Sequence, residues 1–111
     1  MQSKKIYIVG KVTGEPIAHC TMKFGAVQKF YEELGFKVVN PLAVVGDWKT
    51  PWQIAMKMCI SELINCDALV LLDDWENSKG AKIERQLADD LEILIVKNTK
   101  LGVRILMAQL M

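Results

Sequence analysis

The sequence predicts an α/β fold, a doubly wound sandwich in which helices cover both faces of a four- to five-stranded, mainly parallel sheet. Three observations predict it. Short apolar runs alternate with stretches of helical periodicity along most of the chain. The run Ala68-Leu69-Val70-Leu71-Leu72 carries no polar residue at alternate positions, which is how a strand covered on both faces reads. Gly10, Gly14, Gly35 and Asn40-Pro41 then punctuate the alternation where connections are needed. With 111 residues and no internal repeat, low-complexity tract or linker, residues 1–111 read as one domain.

The first strand is Ile6 to Val9, and the turn-rich Lys11-Val12-Thr13-Gly14-Glu15-Pro16 is its exit loop. Phe24, Val27, Phe30, Tyr31 and Leu34 recur every three or four residues, so a helix follows, and Gly35 stands where a left-handed cap is expected. Phe36 to Val39 is the second strand, stopped by Asn40-Pro41. A loop with Gly46, Asp47 and Trp48 leads to Pro51, which opens a helix whose apolar face is Trp52, Met56, Cys59, Ile60 and Leu63. Ala68 to Leu72 is the third strand, and Asn77 or Ser78 caps the helix after it. Glu92 to Val96 reads as a fourth strand. The apolar stretch from Leu101 to Met111 fits either a strand or a short helix.

Fourteen basic and thirteen acidic residues leave a net charge of +1, which gives no electrostatic footprint for a nucleic acid polymer or an anionic membrane. A small molecule or another subunit is the expected partner. Hydrophobic residues make up 51% of the chain, and Trp48, Trp52, Met56 and Met58 exceed what one sheet face needs, so a homodimer or higher oligomer is expected through the helix after Pro51. Cys20, Cys59 and Cys66 are odd in number and lack Cys-x-x-Cys spacing. With His19 the only histidine, no metal site is expected. Neither an export segment nor a membrane-spanning run is present, which fits a reducing cytoplasm.

Glu84 is the residue out of place. Leu87, Ala88 and Leu91 lie three, four and seven positions beyond it, so all four share one helical stripe and the carboxylate faces inward. Such a group is paired, protonated or used in chemistry. In an open parallel sheet a ligand lies beyond the carboxyl ends of the strands, where the Gly10–Pro16, Asn40-Pro41 and Asp73–Gly80 segments converge. Gly80 would let a ligand approach the backbone, and the helix start at Ser78 suits an anion, or Ser78 is a plain cap. Gly10-x-x-x-Gly14 is no dinucleotide fingerprint and there is no Walker-type sequence, so no cofactor is implied.

Lys5-Ile6-Tyr7-Ile8-Val9-Gly10 with Thr13-Gly14, Asn40-Pro41, Cys66-Asp67 and Trp75-Glu76-x-Ser78-x-Gly80-Ala81-x-x-Glu84 resemble the small nucleoside 2-deoxyribosyltransferase-like proteins over roughly residues 4 to 96. The resemblance implies a flavodoxin-like or Rossmann-like sandwich that cleaves the bond between a base and 2-deoxyribose. Water or a second base would then accept the sugar. It further implies Glu84 as nucleophile, Tyr7 as the residue that holds it, and Ser78 near the 5′-phosphate, as in the branch of 2-deoxynucleoside 5′-monophosphate N-hydrolases. From the residues alone Tyr7 is equally a packed strand tyrosine with a satisfied hydroxyl. Gly10, Lys11, Asn40, Asp73, Trp75, Ser78 and Gly80 are the substrate-binding residues on this reading.

Two positions depart from the family. Cys59 stands eight residues before Asp67, where the family carries an aspartate, and a thiol with an ordinary pKa of about 8.5 is no equivalent acid. Base protonation then falls to Asp73, Asp74, Glu62 or the substrate. Lys11 replaces the usual proline, either to meet a phosphate or to sit in solvent. A non-catalytic nucleotide-binding module of the same fold is the alternative.

Overall fold

The computed structural model describes residues 3–111. Strand β1 (Lys5–Val9) enters helix α1 (Ile17–Glu33), and β2 (Lys37–Val39) runs directly into a short helix α2 (Pro41–Val45). Helix α3 (Trp52–Leu63) precedes β3 (Ala68–Leu71), a 3₁₀ turn (Trp75–Asn77) and helix α4 (Lys79–Asp90); β4 (Leu94–Lys97) and α5 (Lys100–Leu110) complete the chain. The four strands are ordered β2-β1-β3-β4 and every pairing is parallel, the flavodoxin-like arrangement. No fifth strand forms among the described residues: the C-terminal stretch is helix α5, started by Thr99, whose hydroxyl accepts the Gly102 amide at 3.0 Å.

Strand alternation sorts the core into two layers. Ile6, Ile8, Ala68, Val70 and Val96 face α1 and α5, where Phe24, Tyr31 and Leu106 are wholly buried. Tyr7, Val9, Leu69 and Leu71 face the other way, onto α2, α3 and α4 with Cys59, Leu63, Ala81 and Ala88. The order of strands reverses between β1 and β3, because the chain leaves β1 for α1 on one face and leaves β3 for α4 on the other. A cleft opens beside that reversal at the carboxyl edge of the sheet.

Several expectations shift. The fourth strand begins at Leu94 rather than Glu92, because Glu92 adopts a left-handed φ of 58° and the Ile93 amide bonds back to the Ala88 carbonyl at 2.8 Å. That closes α4 with a glutamate where a glycine is usual. Leu91 sits beyond the last turn and is exposed, so the inward stripe of α4 stops at Ala88. Phe30 also faces solvent, whereas Phe24 and Tyr31 are buried. Gly35 does take the left-handed cap, with φ of 101°. No described helix is long and apolar enough to cross a membrane.

Candidate active site

Two buried side chains form the floor of the cleft. Tyr7, in the middle of β1, points toward α4, and its hydroxyl donates to Glu84 Oε2 at 2.6 Å. No other hydrogen bond reaches the Glu84 carboxylate from the described residues. Glu84 is only 7% exposed, and burial pushes its pKa up to about 7 against the lowering effect of the Tyr7 hydroxyl. Burial and the adjacent carboxylate drive the Tyr7 phenol far above its ordinary value, so it keeps its proton and acts as donor. The Cys59 thiol, from α3, packs against the same pair. Burial raises its pKa as well, despite the opposing influence of Tyr7.

Above this floor lies a cleft of about 530 Å³. One wall is the β1 exit loop with Thr13 and Glu15, and the other is the connection from α2 to α3 with Asp47 and Trp48. Trp52 and Met56 of α3 and Ser78, Gly80 and Ala81 of α4 close the back. Ser78 caps α4, its hydroxyl accepting the Ala81 amide at 3.1 Å, and the Lys82 amide takes the Ser78 carbonyl. The Lys79 and Gly80 amides have no partner among the described residues.

The two walls are held differently. The Asp74 carboxylate accepts the Lys11 amide at 3.0 Å and pairs with Lys23 at 2.6 Å, while Lys23 also donates to the Lys11 carbonyl at 2.8 Å. Partial burial alone would raise the Asp74 pKa, but Lys23 and the Lys11 amide hold it below the ordinary value. Among the described residues the opposite wall is held by contacts close in sequence: the Gly46 amide bonds to the Leu42 carbonyl at 2.9 Å, and Asp47 accepts the amides of Lys49 and Thr50.

Of the residues expected at the site, Tyr7, Glu84, Gly10, Ser78 and Gly80 line the cleft. Four do not. Lys11 contributes its backbone to the Asp74 clamp. Asn40 caps α2 through the Leu42 amide at 2.9 Å and donates to Gln28. Asp73 is exposed, and Trp75 lies under the Arg85 guanidinium, 5.5 Å from its ring centre. The two glycines serve packing: a Cβ at Gly10 would stand 2.9 Å from Leu72, and one at Gly80 would stand 2.9 Å from the Met56 sulfur. Gly80 thus seats α4 against α3. Glu15, Asp47, Trp48 and Trp52 were not among the expected binding residues, because the turn signals mark a loop without telling which of its side chains turn inward.

The family model for a domain of unknown function, DUF4406, matches residues 4–97. The chain belongs to this family. No curated protein matches it. The matched segment runs from the strand that carries Tyr7 through the helix that carries Glu84 to the end of β4, so both cleft walls and the floor fall inside the DUF4406 domain.

The domain's cleft has a definite chemical character. Its ionisable lining is acidic, with Glu15, Asp47 and Glu84, and no lysine, arginine or histidine lines it among the described residues. The candidates for protonating a leaving group are poorly placed: Asp73 and Glu62 are exposed and outside the lining, and Asp74 is engaged with Lys23. Among the described residues no three His, Cys, Asp or Glu side chains converge as a metal site. What the floor offers is one carboxylate that titrates near neutrality, steadied by a phenol and open to a ligand.

Proposed function

We propose that this cleft breaks the N-glycosidic bond of 2-deoxyribonucleosides or their 5′-monophosphates, passing the sugar to water or to a second base. The observation that carries the reading is the buried Glu84 carboxylate on the cleft floor, 2.6 Å from the Tyr7 hydroxyl. Glu84 attacks the anomeric carbon and forms a glycosyl ester, which water or an incoming base then resolves with retained configuration. Tyr7 orients the carboxylate and favours its ionised form. Ser78 and the Lys79 and Gly80 amides, at the start of a 12-residue helix, suit the 5′ end of the substrate. The sequence resemblance to the nucleoside 2-deoxyribosyltransferase-like proteins supports the same assignment of Glu84 and Tyr7.

Base release from a panel of deoxynucleosides and deoxynucleotides, followed by chromatography, tests it. Glu84→Gln should lower release by about a thousandfold or more, as loss of a covalent nucleophile does, with the fold retained. A variant as active as the parent removes Glu84 from the mechanism.

Cys59 favours a second reading, a nucleotide-binding module without turnover, since a buried thiol stands beside the floor where the resembled enzymes carry an aspartate. Cys59→Asp separates the two: base release gained by an otherwise inactive protein identifies a binding module one side chain away from an enzyme. Self-association through α3 belongs to the same proposal. Trp48, Trp52 and Met56 line the cleft, which leaves Ile54 and Met58 exposed as the apolar contact surface of α3. Sedimentation at micromolar concentration should show a dimer or larger species, and a monomer there ends the assignment.

A further inference from the structure

We infer that the ligand this cleft prefers is an N-glycoside whose base carries a fixed positive charge, such as a pyridinium or N-alkylated purine nucleoside. The inference rests on the glycosidase reading of Glu84 and specifies the substrate class. Three observations converge on it.

The first is the charge of the lining. Glu15 and Asp47 stand on opposite walls with Glu84 beneath them, and as carboxylates they accept but do not donate. Of the neighbouring cations, Lys23 is held by Asp74 and the Lys11 carbonyl, Lys79 lies over the Trp52 ring, and Lys11 and Lys49 flank the walls without joining the lining. An added phosphate would bring negative charge into an acidic cleft with only helix-start amides to meet it. A cation meets three carboxylates.

The second is aromatic. Trp48 and Trp52 line the cleft; Lys79 already lies 4.8 Å from the Trp52 ring centre, so it is the Trp48 indole, with no cation over its ring among the described residues, that is left to stack a base. A flat cationic base stacks on such a surface more strongly than a neutral one.

The third is the missing acid. A neutral base leaves as an anion unless it is protonated, and the buried group beside the floor is the Cys59 thiol, whose proton is held more tightly than usual. A cationic base needs no proton. Glu84 attacks C1′, the C1′–N bond breaks, and its electron pair neutralises the ring nitrogen as the glycosyl ester forms. Water then adds at C1′, the ester bond breaks to return the Glu84 carboxylate, and one proton passes to solvent. Cation and water thus give neutral base, free sugar and a proton. The charge also assists the nucleophile, since a cation beside Glu84 favours ionisation of a carboxyl that burial holds near neutrality.

The test uses the full chain with three probes: nicotinamide 2-deoxyriboside, which is permanently cationic, 2′-deoxyadenosine, and 2′-deoxyadenosine 5′-monophosphate. Glu84-dependent release, the difference between wild type and Glu84→Gln, is expressed as acceleration over each compound's spontaneous rate. The pyridinium nucleoside should exceed both adenine compounds by about tenfold or more, the scale of a desolvated cation–π contact. Replacing Glu15 by Gln and Asp47 by Asn together should shrink that ratio, and an unchanged ratio overturns the role given to the lining. Equal or greater acceleration of the adenine compounds overturns the charge preference while leaving Glu84 as nucleophile. Absence of Glu84-dependent release from all three removes the glycosidase reading and this inference with it.

Discussion

The two faces of the sheet each bury a tyrosine completely, and each tyrosine donates to a side chain brought from far along the chain. On the α1 and α5 face, Tyr31 donates to the Asn98 side-chain oxygen at 2.8 Å. On the α3 and α4 face, Tyr7 donates to Glu84 at 2.6 Å. The acceptors differ in kind. A neutral amide satisfies a buried hydroxyl at little electrostatic cost, whereas a carboxylate taken out of water costs free energy that one phenol does not recover. Asn98 is what a core selected for stability uses. Glu84 works against the stability of its own face, which is what the proposed nucleophile would do.

The sharpest way to break this contrast is to neutralise Glu84 and follow stability against pH. Burial raises its folded-state pKa from 4.5 to about 7, so the folded protein holds more protons than the unfolded chain within that window. The group's contribution to stability is greatest below the window and is lost as pH rises through about 7. Glu84→Gln should therefore match wild type in acid and exceed it by about 3 kcal/mol at about pH 8, read by denaturant unfolding. A constant difference across pH would mean that the carboxylate ionises in the fold as freely as in water.

Shape governs the other face. A Cβ at Gly102 would stand 1.8 Å from the Lys97 carbonyl oxygen, a backbone atom that cannot swing aside. Gly102→Ala should cost about 2–3 kcal/mol by forcing α5 off β4, with the midpoint of thermal unfolding as the check. The paired hydroxyl deletions then sharpen the comparison. Tyr7→Phe should lower base release by about tenfold or more and move the pH–rate midpoint upward, since the Tyr7 hydroxyl holds the Glu84 pKa down. Tyr31→Phe should cost about 1 kcal/mol of stability and leave the pH–rate profile where it was.

What the chain discloses in one dimension follows the range of the forces involved. Strand β3 is an unbroken apolar run and the inward turn of Glu84 follows helical spacing; both signals are local and legible in the residues themselves. Helix α2 was hidden because Asn40-Pro41, read as a strand stop, is also a cap followed by a first-turn proline, and five residues are too few to display a period. Helix α5 was ambiguous because it is apolar on both sides: Val103 and Leu110 pack inward, while Leu101 and Ile105 face solvent. The start of β4 was misplaced because Glu92 occupies a left-handed cap without the glycine that announces one. Asp73 and Asp74 are neighbours in the chain, and it is Lys23, 51 residues away, that draws Asp74 into a clamp while Asp73 stays exposed, which no local pattern reveals. Cleft residues such as Glu15 and Asp47 escaped for the same reason, since which loop side chains turn inward is settled by packing between segments distant in sequence.

The clamp between the β1 and β3 exits makes the cleft mechanically lopsided. Lys23 and Asp74 tie the wall at Lys11 to two different elements, so lifting it means separating an ion pair and two backbone contacts at once. The wall at Asp47, among the described residues, is held by hydrogen bonds within its own turn and back to α2. The cleft is thus built like a vice with one jaw bolted to the bench: long-range polar contacts anchor the Lys11 side, while the Asp47 side is held by contacts close in sequence.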